Sequence, residues 1–175
     1  MKPLLGKDCV GLLAAGLAAL ALVFGAGCRQ SLPPRPAASS AGLPQATMTF
    51  GGTGTKLTVE LAHTPPQRRA GLQHRTRLGS ERGMLFMFPA DSDGPFWMKD
   101  TLLPLSIAFI DASGRVVRVM DMDPCQTDPC PLYSPGAVYR TALEVERGVL
   151  ARLGVKAGTL VRIWPGSDGR LPSPQ

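Results

Sequence analysis

The run Gly94-Pro95-Phe96-Trp97-Met98-Lys99-Asp100-Thr101 sets one of only two tryptophans beside a charged pair, in a segment too apolar for a surface loop. In extended backbone, alternate side chains share a face. Trp97, Lys99 and Thr101 would then line one side, and Phe96, Met98 and Asp100 the other. An indole next to an ammonium suits a sugar, an aromatic or an anionic ligand. The alternative is a core tryptophan, its N–H bonded to a carbonyl, with Lys99 snorkelling to solvent. Arg75, Arg77, Arg82 and Glu144 are further polar groups that could join such a surface. Glu144 stands between Leu143 and Val145, where it could pair with Lys99 or with an arginine. The candidate ligand-binding set is Trp97, Lys99, Asp100, Glu144 and Arg75.

Other chemistries find less support. His63, His74, Cys125 and Cys130 contain the residue types of a zinc site, but their spacing is not a recognised one. The methionines read as strand core. No Gly-x-Ser-x-Gly elbow is present, and no glycine-rich loop leads from a strand into a helix to cradle phosphate. No catalytic residue, cofactor or metal is assigned.

The elements that would position these groups follow mostly a period of two. Leu57, Val59 and Leu61 alternate with polar residues, predicting a half-buried strand. Gly83 to Phe88 is continuously apolar and predicts a strand buried on both faces. Phe96 to Thr101 reads as extended. Leu105 to Ile110 and Val116 to Met120 flank Asp111-Ala112-Ser113-Gly114, the clearest hairpin. Gly51-Gly52-Thr53-Gly54 reads as another hairpin turn. Val138 to Val145 and Leu160 to Trp164 complete the strands. Thr64 caps a helix reaching Gln73, with Pro65 in its first turn. A second helix is expected over Glu146 to Leu153, ended by Gly154. The expectation is an α+β, mainly β fold: a compact curled or barrel-like sheet of six to seven strands with two short helices.

The start of the chain addresses it. Lys2 and Lys7 precede an apolar run from Cys9 to Phe24, and Gly25-Ala26-Gly27-Cys28 follows. This is the pattern of a signal peptide over residues 1–27. Cleavage before a cysteine further suggests a bacterial lipoprotein with its lipid on Cys28, although Gly25 stands where an aliphatic residue is common. Residues 28–47 are rich in Pro, Ala and Ser and read as a tether. Residues 48–164 form a single β-rich domain, and 165–175 a disordered tail. Loss of Lys2, Lys7 and Asp8 would lower the net charge from +6 to +5, modest for a nucleic-acid partner, and no nucleic-acid motif is present. The expected location is extracytoplasmic, anchored to the membrane by lipid. In an oxidising compartment Cys125 and Cys130 read as a disulfide. The loop it closes is short, so its stabilisation is about 2 kcal/mol.

Several blocks together resemble one family. They are Ala70-Gly71-Leu72, Gly83-Met84-Leu85-Phe86-Met87-Phe88, Phe96-Trp97-Met98-Lys99-Asp100-Thr101, Pro104-Leu105 and Ile107-Ala108-Phe109-Ile110-Asp111. Gly114-Arg115-Val116-Val117, Pro124-Cys125, Cys130-Pro131, Tyr133 and Ala142-Leu143-Glu144-Val145 follow in order. The pattern resembles the domain of unknown function number 192 over nearly all of residues 55–164. Gln73 departs from the family's usual Met, and Asp100 from its usual Asn. The resemblance implies a compact β-rich fold and a shared surface built from these blocks; it implies no established activity. The functional expectation is a non-catalytic binding or accessory module of the cell envelope. The alternatives are a small envelope hydrolase or transferase using Asp100 or Glu144, and a protein–protein adaptor.

Overall fold

The computed structural model describes residues 42–52 and 54–175. The signal segment, Cys28 and most of the proline-rich tether lie outside the described residues. Among those described, no helix is long and apolar enough to cross a membrane.

Among the described residues, nine strands and two helices follow in the order β1 (Gln45–Phe50), β2 (Lys56–Ala62), α1 (Pro65–Ala70), β3 (Arg82–Ser92), β4 (Phe96–Trp97), β5 (Leu105–Ile110), β6 (Val116–Met122), β7 (Leu132–Tyr133), β8 (Tyr139–Glu146), α2 (Val149–Arg152) and β9 (Val161–Pro165). Seven strands form one sheet in the order β6-β5-β8-β3-β2-β1-β9, and β4 pairs with β7. Only β2 and β3 run parallel, and α1 lies in the crossover between them. The sheet curls until its outer strands approach at one end. There Arg115 bridges Leu160, Val116 N–H donates to the Thr159 carbonyl at 2.9 Å, and Val161 N–H donates to that of Gly114 at 2.8 Å. The sheet is therefore curled and pinned at one end, not a closed barrel.

Two apolar layers fill its two faces. Val116 and Val161, from opposite edges, share a buried cluster with Met48, Phe50, Leu57, Val59, Leu61, Leu85, Leu143 and Val145, so this face is the inside of the curl. Val149 and Leu150 of α2 pack into it. On the other face, Met84, Phe86, Ile107, Phe109, Tyr139 and Ala142 are covered by Leu72, Leu78 and Met98, which come from connections rather than from the sheet. Central strands with both faces covered read as unbroken apolar runs. That accounts for β5, in which every residue is buried, and for Gly83–Met87 of β3.

Three expectations are corrected. The first helix stops at Ala70, because Gly71 takes φ +46° and reverses the chain. The second is a single turn, because Glu146 stays in β8 opposite Leu105 and Gly148 turns with φ +83°. The extended piece at Phe96 ends after Trp97, because Asp100 adopts φ +55°. At the chain's two margins, β1 begins at Gln45 and β9 runs through Pro165. Residues 166–175 carry no helix or strand, yet Gln175 N–H donates to the His63 carbonyl at 2.8 Å.

Candidate functional site

The outer face of the sheet holds the site, and α1 forms one wall. Its start is a capping box: Thr64 Oγ1 accepts from Gln67 N–H, and Gln67 Oε1 accepts from Thr64 N–H at 2.9 Å. This sets Arg68 and Arg69 over the sheet. Arg68 is consumed locally. Its guanidinium donates to the carbonyls of His63, Met87 and Gln175 and lies 5.0 Å from the Phe88 ring centroid. Arg69 makes no side-chain hydrogen bond or ion pair among the described residues. Gly71 is required at its turn because its φ of +46° is one that L side chains rarely adopt.

The opposite wall is the Trp97 segment. β4 pairs Trp97 with Leu132 and leaves the indole 54% exposed, so the core alternative does not hold. Phe96 turns inward and meets Phe86, Phe109 and Phe88 edge-on, with ring centroids 5.1, 5.6 and 6.4 Å away. Asp100 N–H donates to the Cys125 carbonyl at 2.9 Å, while the Asp100 carbonyl accepts from His74 N–H. Lys99 Nζ lies 2.6 Å from Asp128 Oδ2, and this hydrogen bond raises the lysine's pKa. Asp128 sits in the loop closed by the Cys125–Cys130 disulfide.

The floor is Glu144. It stands mid-strand in β8, opposite Met84 of β3 and Ile107 of β5, with only 4% of its surface exposed. Its carboxyl makes no hydrogen bond or ion pair with the described residues. Among the described residues, however, no fully occluded side-chain oxygen or nitrogen lacks a partner. The carboxyl therefore opens onto the hollow above it. Burial without a compensating charge pushes its pKa up to about 8, so at neutral pH it is mainly the protonated acid.

Two adjoining hollows lie between these walls. The inner one, about 40 Å³, is bordered by Glu144, Thr101, Lys99, Gln73 and Arg69. The outer one, about 340 Å³, runs along Phe86, Phe88, Phe96, Trp97 and Tyr139. Both share Arg68, Arg69, Phe86, Phe96 and Trp97, so they form one groove with an aromatic body and a polar end. A larger hollow of about 800 Å³ lies against β1 and β9, where Lys56 and Arg162 are its charged residues. Among the described residues it holds no carboxylate and no buried polar side chain.

Of the five expected site residues, the fold brings together Trp97, Lys99 and Glu144. Asp100 lies at the turn beyond the groove, and neither hollow touches its side chain. Arg75 is spent elsewhere, in a two-pronged pair with Glu60 at 2.7 and 2.6 Å. A pairing of Glu144 with Lys99 or an arginine is absent among the described residues: Asp128 has taken Lys99 and Glu60 has taken Arg75. Arg69, Gln73 and Phe86 were missed. Arg69 reaches the site only through the placement of α1, and Gln73 only through the turn at Gly71; Phe86 reads as one more core residue in an apolar run.

The fold and site define a small, mainly β α+β domain with an aromatic groove over a buried carboxylic acid. The chain belongs to the DUF192 family, described as Uncharacterized ACR, COG1430, which matches residues 46–163. Two solved structures are similar. One is a candidate transcription regulator from Sinorhizobium meliloti 1021, 28% identical, with TM-score 0.63 over 70% of this chain and 95% of that one. The other is a protein of unknown function from Novosphingobium aromaticivorans DSM 12444, 32% identical, with TM-score 0.62 over 71% of this chain and 89% of that one. No curated protein matches.

Proposed function

We propose that this is a non-catalytic binding module of the cell envelope that holds a small ligand in the groove beside Trp97. The observation that carries the reading is the half-exposed indole at the mouth of an aromatic groove whose inner end is polar. Concave aromatic sites with a few convergent polar groups are the usual form of ligand pockets. Among the described residues, neither hollow is lined by a histidine, a cysteine or a second carboxylate, which supports binding over turnover. Native mass spectrometry of the full chain from its own membranes tests this. The expected result is an added mass that disappears in Trp97→Ala. A bare mass in the unaltered protein refutes it.

The envelope location rests on residues 1–28, with the membrane as partner through a lipid on Cys28. Fractionation checks it: Cys28→Ser should move the protein from the membrane to the soluble fraction. Retention of both forms in the same fraction counts against the anchor.

A second reading draws support from Glu144. A buried carboxyl with a pKa near 8 suits a general acid of a small hydrolase or transferase. Release of product from envelope polymers by the unaltered protein, lost in Glu144→Gln, would establish it.

A further inference from the structure

We propose that the ligand is an organic carboxylate with an apolar or aromatic body, its carboxylate seated in the inner hollow among Glu144, Arg69 and Gln73 and its body lying along the Phe96–Trp97 groove. This rests on the binding reading above and names the chemical class of the ligand.

The inner hollow, about 40 Å³, has room for a group the size of a few waters and no more. The outer hollow, about 340 Å³, is walled by Phe86, Phe88, Phe96 and Trp97. A ligand that fills both is therefore a compact polar head on a flat or aliphatic body.

Charge selects the head. Glu144 offers an O–H to the inner hollow and has no partner of its own among the described residues. Arg69 and Gln73 border the same hollow with their side-chain donors unused among the described residues. Lys99 adds positive charge at the rim, although Asp128 holds its ammonium. Such a cluster is rich in donors and carries net positive charge, so an anion with two acceptor oxygens complements it. A hydrogen bond from an acid O–H to a carboxylate is among the stronger types. A protonated carboxylic acid in an apolar site is a known donor to oxyanions. A cationic head would instead require Glu144 to ionise and would meet the positive charge of Arg68 and Arg69.

Charged and titratable groups reach the surroundings of Glu144 from several neighbouring elements. On β8 itself, Glu146 is held by the amides of Leu78 and Gly79. On β2, Glu60 is paired with Arg75. Helix α1 contributes Arg68 and Arg69, and the Trp97 segment contributes Lys99, Asp128's partner, together with Asp100 and the neighbouring His74. The adjacent β3 and β5 residues, Met84 and Ile107, carry no charge. Lys99 titrates higher still, raised by its bond to Asp128.

Calorimetric titration of the full chain in non-ionic detergent tests the proposal with three probes of one shape: 3-phenylpropionate, 3-phenylpropionamide and 3-phenylpropylammonium. The acid should bind most tightly at pH 6.5. If binding needs the Glu144 proton, affinity should fall about thirtyfold by pH 9.5, given a pKa of about 8. Glu144→Gln keeps a neutral donor, so it should still bind the acid and lose the pH dependence. Trp97→Ala should weaken all binding. Tighter binding of the ammonium or the amide overturns the carboxylate assignment while leaving the groove a binding site. A pH-independent affinity for the acid, an unchanged pH profile in Glu144→Gln, or indifference to Trp97→Ala also overturns it. If none of the three probes binds, the carboxylate assignment is overturned, and the binding reading is decided separately by the native mass of the chain.

Discussion

Lys99 Nζ lies 2.6 Å from Asp128 Oδ2, so the rim of the groove is tied to the loop that the Cys125–Cys130 disulfide closes. A second tie is the Asp100 N–H donated to the Cys125 carbonyl. Opening the disulfide should therefore loosen the Trp97 segment as well as the loop. A Cys125→Ser, Cys130→Ser double variant should lose about 2 kcal/mol in chemical denaturation. Native-state hydrogen exchange at the Asp100 amide should accelerate by more than exchange at central β8 amides. Equal acceleration at both places would mean global destabilisation only.

Glu144 makes stability depend on pH in a direction opposite to ordinary carboxylates. Its folded pKa, about 8, lies above the usual 4.5, so the folded state binds the extra proton. Its contribution is fully present below about pH 4.5 and is lost progressively as pH rises through about 8, then levels off. Glu144→Gln cannot ionise and avoids that loss. The variant should gain stability relative to the unaltered protein between pH 5 and pH 9, measured as a rise in the difference of Tm. A difference that stays flat over this range would show that the carboxyl is not buried as a neutral acid.

The elements that were legible in the sequence are those whose pattern is set by the sheet itself. Leu57, Val59 and Leu61 alternate because one face of β2 is better covered than the other, and Gly83 to Met87 is unbroken because β3 is flanked and covered on both faces. The turn at Asp111 was legible because Asp111 Oδ1 accepts from Ser113 N–H and Arg115 N–H, a local device that needs no tertiary partner. Trp97, Lys99 and Glu144 could be picked out by type. What was hidden depends on distant partners. Nothing local tells that Arg75 will find Glu60, that Asp128 will take Lys99, or that Asp100 will adopt positive φ. Without these, Glu144 looks like half of an ion pair instead of a lone acid.

Gly83 is the position where β3 and β8 come too close for any side chain. A Cβ there would lie 2.7 Å from the Glu144 carbonyl oxygen and 3.0 Å from Val145 Cγ1. Backbone cannot yield as a side-chain tip can, so Gly83→Ala should cost about 1–3 kcal/mol through strand displacement. Gly42→Ala meets nothing within 4 Å and serves as the control; it should stay within about 0.5 kcal/mol. Denaturant titration of the two variants checks this. Equal stability would mean that the strands separate freely at this point and that the floor of the groove is soft.

Arg75 separates a structural cation from a ligand-binding one. Its guanidinium meets both Glu60 oxygens, and this hydrogen bond lowers the Glu60 pKa below 4.5. Both side chains are partly exposed, so Arg75→Ala should cost about 1 kcal/mol at pH 7. The sign of the pH effect follows from the lowered pKa. The pair's contribution is present above the usual carboxylate range and is lost as pH falls through the folded pKa of Glu60. The difference between Arg75→Ala and the unaltered protein should therefore shrink on acidification below about pH 4. Calorimetric binding of any ligand found in the groove should be unchanged, whereas Arg69→Ala should weaken an anionic one. Loss of binding in Arg75→Ala with stability intact would return Arg75 to the site and show that the Glu60 pair opens when the ligand arrives.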